Sequence, residues 1–179
     1  MRRKIAITLL ALAFIIFYSD LKMNQNNPEV LHGLLDSVEN YIEYRDEINT
    51  DVSTVDVAWQ LDHILKVMNR ITEALEKSKP ENYSSSVNVM RVMSLTCNYI
   101  PRGRAQSPEI VKPPDVIHTE DIYTQLEEAR NNIIKLKSLN DNSYFKHFVF
   151  GKLNKAQTIR FIEVHTNHHL KIVKDIIGK

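Results

Sequence analysis

The stretch from residue 154 to residue 177 constrains the fold of this chain most. Five of its positions recur at alternating steps of three and four, the spacing of one buried face of a helix: Ile162, His165, His169, Ile172 and Ile176. Two of them are histidines one turn apart, so both rings project from the same face. An imidazole buried without a partner costs about 1–3 kcal/mol. We therefore expect this helix to pack into a bundle and its two rings to share a metal ion.

The remaining chain has the composition of a helical protein. Hydrophobic residues make up 43% and charged residues 25% of the 179 residues, and only four glycines occur. Helical stripes are predicted for residues 31–42, 57–75 and 122–136, with a shorter helix at 87–99. In the short helix we expect these side chains to face inward: Val89, Val92, Met93 and Thr96. Residues 144–153 are predicted to form an aromatic-rich linker. The predicted fold class is all-α.

Helix start signals precede these stripes. Asn27-Pro28 is typical of an N-cap followed by proline at the first helical position. Residues 53–56 resemble a capping box that opens a helix ending near Lys79. Thr119 and Asn154 are the predicted N-caps of the last two helices.

Residues 100–114 contain four of the six prolines of the chain. No regular element tolerates that density of proline, so we expect a long loop. Loops of this length within a compact domain are uncommon and often act as lids or binding loops.

The N-terminus carries a short basic segment and then an apolar run, residues 5–18, interrupted only by Thr8. A signal peptide and a membrane anchor both fit this pattern. The residues before Ser19 are bulky, which disfavours cleavage, and a helix of about 21 Å is short for a hydrocarbon core of roughly 30 Å. We favour an uncleaved anchor, residues 1–22, that places the domain of residues 23–179 on the periplasmic or extracytoplasmic side. Translation from Met23 would instead give a cytoplasmic protein.

Charge and cysteine content exclude several functions. The net charge is +1, and four bases fall within residues 1–22, so the rest of the chain is slightly acidic. No basic field exists to bind a phosphate backbone, which argues against nucleic-acid binding. Cys97 is the only cysteine, so an internal disulfide is excluded.

Three short motifs together resemble the DinB-like superfamily of four-helix bundles, in particular a branch of unknown function. They are Leu61-Asp62-His63, residues 150–153 (Phe-Gly-Lys-Leu), and His165-Thr-Asn-His-His169. The resemblance implies an antiparallel four-helix bundle with an extra short helix, in which the second helix and the last helix bind a divalent metal. The ligands implied here are His63, His165 and His169. Characterised members of the superfamily include transferases that couple a small thiol to an electrophile.

The chemistry of three imidazoles agrees with that implication. They leave coordination positions open for water or a substrate, and they suit zinc or nickel. A metal-dependent transferase or hydrolase is the leading hypothesis; a non-catalytic bundle that a metal stabilises, serving as a structural or partner-binding module, is the alternative. No catalytic base is identifiable. Further candidates for lining the pocket or contacting the ligands are Trp59, Asp62, Arg102, Arg104, His147 and His168.

Overall fold

The computed structural model describes residues 17, 18, 21, 24–103 and 106–179. Within the described ranges 24–103 and 106–179 there are five α-helices and one two-stranded sheet. The helices are α1 (His32–Asn40), α2 (Val57–Lys77), α3 (Val89–Cys97), α4 (Thr119–Ser138) and α5 (Lys155–Ile177). The strands are β1 (Tyr144–His147) and β2 (Gly151–Asn154). The prediction of a mainly helical protein is confirmed, and the small sheet is an addition to it.

Two of the predicted N-caps, Asn27 and Asn154, are confirmed, and the second helix is capped by Asp56 instead of Ser53. The Asn27 side chain accepts a hydrogen bond from the backbone N–H of Glu29, with Pro28 opening a 3-10 turn that leads into α1. Asp56 accepts from the N–H of Trp59 at 2.8 Å, and Asn154 caps α5. Each cap satisfies a backbone donor that has no partner within the helix.

Two capping predictions need correction. Thr119 is the first residue of α4, and His118 occupies the N-cap position without a side-chain cap. Ser53 does not cap α2, because its hydroxyl bonds instead to the backbone of Val55.

The core lies where α2 and α1 each pack against α4 and α5. The predicted inward stripes of α2 and α4 are buried: Val57, Leu61, Ile64, Met68, Ile71 and Leu75, with Ile122, Leu126, Ala129, Ile133 and Leu136. Burying a side chain of this size contributes roughly 1.5–3 kcal/mol. These two stripes therefore fix which face of α2 is turned inward, and with it the direction of its histidine.

The short helix α3 is rotated relative to the prediction: of the four side chains expected to face inward, Val92 and Thr96 are half-buried and the other two are exposed. Val89 is 66% exposed and Met93 is 59% exposed, whereas Arg91 and Leu95 are buried. The reason is that the Arg91 guanidinium donates hydrogen bonds to the carbonyl oxygens of Ser86 and of two residues of the following hairpin region, 150 and 152. The free energy gained by hydrogen-bonding this buried guanidinium exceeds the free energy lost by exposing two apolar side chains.

The segment predicted to be a linker forms an antiparallel hairpin. Phe145 pairs with Leu153 and His147 pairs with Gly151, whose φ of +73° favours glycine at the end of the turn. The hairpin contacts α2 and α5. It therefore carries an aromatic turn to the face where α2 and α5 meet.

None of the helices in the described ranges is long and apolar enough to cross a bilayer. Most of the predicted anchor, residues 5–16, and the predicted domain border at residues 22–23 lie outside the described residues. Phe17 and Tyr18 are described; they are helical and exposed. The anchor is thus not supported by the described residues and stays a prediction from the sequence.

Candidate metal centre

Helix α2 turns His63 into the interior. Asp56 fixes the start of the helix, and the buried stripe of α2 sets its rotation, which leaves His63 only 3% exposed. Trp59, one turn earlier, stacks on the imidazole of His63 with ring centroids 5.0 Å apart and planes inclined by 22°. The sequence placed His63 at the edge of the stripe, facing either a helix seam or solvent. In the structure, His63 faces the seam between the helices.

Helix α5 supplies two more imidazoles from its inner face. His169 is buried and His165, one turn before it, is half-buried. Their ring centroids lie 4.5 Å apart. The predicted stripe of α5 is thus turned inward, with the half-buried ring at the edge of the interior.

The three rings converge although they come from helices about a hundred residues apart in sequence. The centroid of His63 lies 5.2 Å from that of His165 and 4.7 Å from that of His169. Their ligand nitrogens all lie within 4.8 Å of one another. Two ligands of a tetrahedral ion with bonds of about 2.1 Å stand roughly 3.4 Å apart, so small ring rotations would bring them to coordination distance. The three histidines are therefore close enough to bind one metal ion.

Two of the rings have their tautomer fixed by a partner behind them. The Nδ1–H of His63 donates to the carbonyl oxygen of Val111 at 2.8 Å, and the Nδ1–H of His169 donates to Oε1 of Gln60 at 2.7 Å. A carbonyl oxygen can only accept, so Nδ1 carries the proton and Nε2 keeps its lone pair. This orientation is the one that metal-ligating histidines adopt.

Burial keeps all three imidazoles in the neutral form. It lowers the pKa of His63, although the hydrogen bond to Val111 and the charge of Asp62 oppose the shift. Burial also lowers the pKa values of His165 and His169 well below the usual value, helped by the neighbouring histidines. Because only a neutral imidazole can coordinate a metal, the site is ready for an ion at neutral pH.

A cavity of about 650 Å³ lies against the three rings. Its wall includes His63, His165 and His169, and it extends between two irregular segments. The proline-rich loop contributes Ile100, Pro101, Pro108, Ile110 and Val111, and the hairpin contributes residues 145–150. In its described residues, 100–103 and 106–114, the predicted long loop contains a 3-10 turn at Glu109–Val111 and otherwise no helix or strand, and it forms one side of the cavity. The volume falls within the range of small-molecule sites.

Two further predicted pocket residues line this cavity. His147 lies in the hairpin, and its ring stacks against the rings of Phe148 and Phe150 with centroids 4.6 Å away in each case. His168 lies on α5 with its ring centroid 5.0 Å from that of His169. Burial lowers the pKa of each to about 4, so both rings are neutral at pH 7.

Other predicted site residues lie elsewhere. Asp62 is buried; it pairs with Lys66 of its own helix at 2.6 Å and accepts a hydrogen bond from Gln125 of α4. It does not contact the histidine rings, since neighbouring positions on a helix diverge by about 100°. Arg102 forms an exposed ion pair with Asp175 at 2.6 Å instead of pointing into the cavity. Arg104 lies outside the described residues.

Sequence reasoning missed Gln60 and Val111, and it missed the aromatic wall of the hairpin. Gln60 lies three residues before His63 on α2. It is only 3% exposed, and a buried amide points to a polar partner, but this burial is visible only in the folded structure. The partner of Val111 lies 48 residues away and the partner of Gln60 lies 109 residues away. Long-range contacts of this kind leave no periodic trace in a sequence.

Comparison with known proteins assigns a family. Residues 47–176 match the model of the family described as protein of unknown function, DUF1569. The chain belongs to the DUF1569 family. The matched range contains the three converging histidines, Gln60, and both segments that border the cavity. No curated protein and no solved structure matches this DUF1569 member.

Proposed function

We propose that this protein binds one divalent metal ion through His63, His165 and His169, and uses it on a small molecule held in the adjoining cavity. The observation that supports this proposal is that the three rings lie together in the wall of a cavity. A structural metal site is usually closed, whereas a catalytic site keeps positions open to substrate. The location favours a reaction over a purely stabilising role.

The donor set fits a borderline divalent ion. Three neutral imidazoles without a thiolate or carboxylate suit zinc or nickel, and they leave at least one position free. An ion of this kind would lower the pKa of a bound water or thiol, or polarise a carbonyl group. Transfer of a thiol to an electrophile and hydrolysis both use this chemistry, and these are the two reactions that we propose.

The residues around the site have separate tasks in this proposal. Val111 and Gln60 hold the rings of His63 and His169 with Nε2 available. Trp59 covers one face of His63. The apolar side chains of the loop and the hairpin line the cavity next to the rings and displace water there, which strengthens electrostatic interactions inside it.

The same arrangement supports the proposal that the fold is a DinB-like antiparallel four-helix bundle. Helices α1, α2, α4 and α5 pack together, and α3 is the extra short helix. One histidine comes from α2 and two come from the last helix at a spacing of four residues. The long segment between α2 and α4 corresponds to the crossover that this topology requires.

Metal analysis of His165→Ala tests the proposed site. Purified wild-type protein should contain about one divalent ion per chain, and His165→Ala should contain almost none, because two remaining imidazoles bind an ion far more weakly. His32 offers a matched control, since it lies on α1 and pairs with Glu29 at the surface. His32→Ala should retain the ion. Full occupancy in His165→Ala would rule out the proposal.

A further inference from the structure

The ring of His147 has a fixed orientation that the proposed metal site does not explain. Its Nδ1 accepts hydrogen bonds from the backbone N–H groups of Val149 and Phe150, both at 3.1 Å. An accepting nitrogen carries no proton, so in the neutral ring the proton lies on Nε2. The turn of the hairpin therefore makes His147 a hydrogen-bond donor on the ring edge opposite the turn.

Aromatic rings surround this donor. Phe148 and Phe150 stack on His147, and Phe161 of α5 lies with its centroid 5.0 Å from the His147 ring. Phe145 completes the group, and all five rings line the cavity. Aromatic rings bind other aromatic rings through offset-stacked or edge-to-face contacts, at about 0.5–1.5 kcal/mol beyond the area they bury.

The charge of the wall restricts the ligand further. Among the described residues that line the cavity, none has a carboxylate, and the charged ones are the bases Arg70 and Lys146. Arg70 is paired with Glu73 at 3.0 Å, so Lys146 supplies most of the positive charge of the lining. A cationic ligand would find no counter-charge in the lining itself. A neutral or anionic ligand finds a fixed donor and a mildly positive rim.

We infer that the cavity binds a planar aromatic molecule bearing a carbonyl or anionic oxygen, and that the Nε2–H of His147 donates a hydrogen bond to that oxygen. This names the substrate class of the proposed function and rests on the metal site adjoining a binding cavity. The aromatic part lies against the hairpin and Phe161. The oxygen lies within hydrogen-bonding reach of Nε2 of His147.

A pair of fluorescent dyes tests the inference. 1-Anilinonaphthalene-8-sulfonate carries an anionic sulfonate, and N-phenyl-1-naphthylamine has the same rings without it. Both should bind the full-length protein with enhanced fluorescence. His147→Phe should weaken binding of the sulfonate dye about tenfold, as loss of a hydrogen bond to a charged group predicts, and change binding of the neutral dye less than about twofold.

Two variants separate this role from damage to the hairpin. In His147→Asn the amide oxygen can still accept from the turn, as in an Asx turn, but no donor remains at the Nε2 position. It should lose the preference for the sulfonate dye as His147→Phe does. His118→Phe changes an exposed histidine outside the cavity lining and should behave as wild type. Equal weakening of both dyes in both His147 variants, or no weakening in either, overturns the donor role.

A third variant locates the dyes. Ala74 lines the cavity, so Ala74→Phe should fill part of it and weaken both dyes. Unchanged binding of both dyes would mean that they occupy other apolar surface, and the inference fails. Dye titrations of protein purified without a chelator, beside metal analysis of the same samples, keep the two proposals apart. Dye binding by such protein that contains no metal contradicts the metal site alone, and metal binding without dye binding contradicts the ligand class alone.

Discussion

Trp59 lies stacked on the imidazole of His63, one helical turn away on α2, with ring centroids 5.0 Å apart and planes inclined by 22°. His63 is 3% exposed, while Trp59 is half-buried. Trp59 is the only tryptophan of the chain. The intrinsic tryptophan fluorescence of this protein therefore comes from a single indole in contact with a candidate metal ligand.

We predict that zinc changes the emission of Trp59 and that the change saturates at one ion per chain. Binding to Nε2 of His63 draws electron density from the ring beneath the indole and fixes its position. Titration of metal-free protein with zinc, followed by tryptophan emission, measures the effect. His165→Ala keeps the stack and removes a ligand, so it should give no saturable change. An identical curve for this variant would show that the signal arises elsewhere.

We predict that Gln60→Met weakens zinc binding about 10- to 100-fold, the usual effect of losing a hydrogen bond to a ligating histidine. The Nδ1–H of His169 bonds to Oε1 of Gln60 at 2.7 Å, and methionine offers no comparable acceptor. Gln60→Glu keeps an acceptor oxygen and should retain most of the affinity. Competition against a coloured chelator gives both affinities. Equal zinc affinity of the methionine variant and the wild type would show that Gln60 does not contribute to metal binding.

Most of the helical framework followed from local patterns. The stripes of α2 and α4, the caps at Asn27 and Asn154, and the inward direction of His165 and His169 all depend on residues within a few turns of each other. The hypothesis for the metal ligands needed only the i, i+4 spacing in α5 and a family resemblance.

The parts that were predicted wrongly depend on distant contacts. The orientation of α3 is set by Arg91, whose acceptors Phe150 and Lys152 belong to a hairpin about 60 residues later. The hairpin itself is stabilised by packing against α2 and α5, which outweighs the weak strand signal of four residues on each side. The sequence left the direction of His63 open, and the packing of α2 against α4 and α5 decides that it points inward.

We predict that the full-length protein is recovered in the membrane fraction, with its domain on the extracytoplasmic side. The basis is the basic start and the apolar run of residues 5–18, which fit an uncleaved anchor. Fractionation and N-terminal sequencing show whether the full-length chain stays with the membrane. Protease accessibility in intact cells shows on which side the domain lies. A product that begins near residue 20 and leaves the membrane would show a cleaved signal peptide. A full-length chain in the cytoplasmic fraction would contradict the anchor.

Acid should destabilise the metal-free protein through its buried histidines. Burial lowers the pKa of five imidazoles: His63, His147, His165, His168 and His169. In the unfolded chain their pKa values return to about 6.5, so below that pH the unfolded state binds more protons than the native state. The stabilisation is complete above about pH 6.5 and is lost as the pH falls towards 4, the pKa of His147 and His168.

We therefore predict that the urea midpoint of unfolding in EDTA falls steeply between about pH 6.5 and about pH 5, a range in which most carboxylates stay ionised. Each histidine that is neutral in the native state and protonated in the unfolded state adds up to about 1.4 kcal/mol per pH unit to the slope. His147→Asn removes one such group and should give a shallower slope. His118→Ala removes an exposed histidine and should leave the slope unchanged. A midpoint that stays constant or rises on acidification would contradict the neutral, buried state of these rings, because burial of an uncharged imidazole must oppose its protonation.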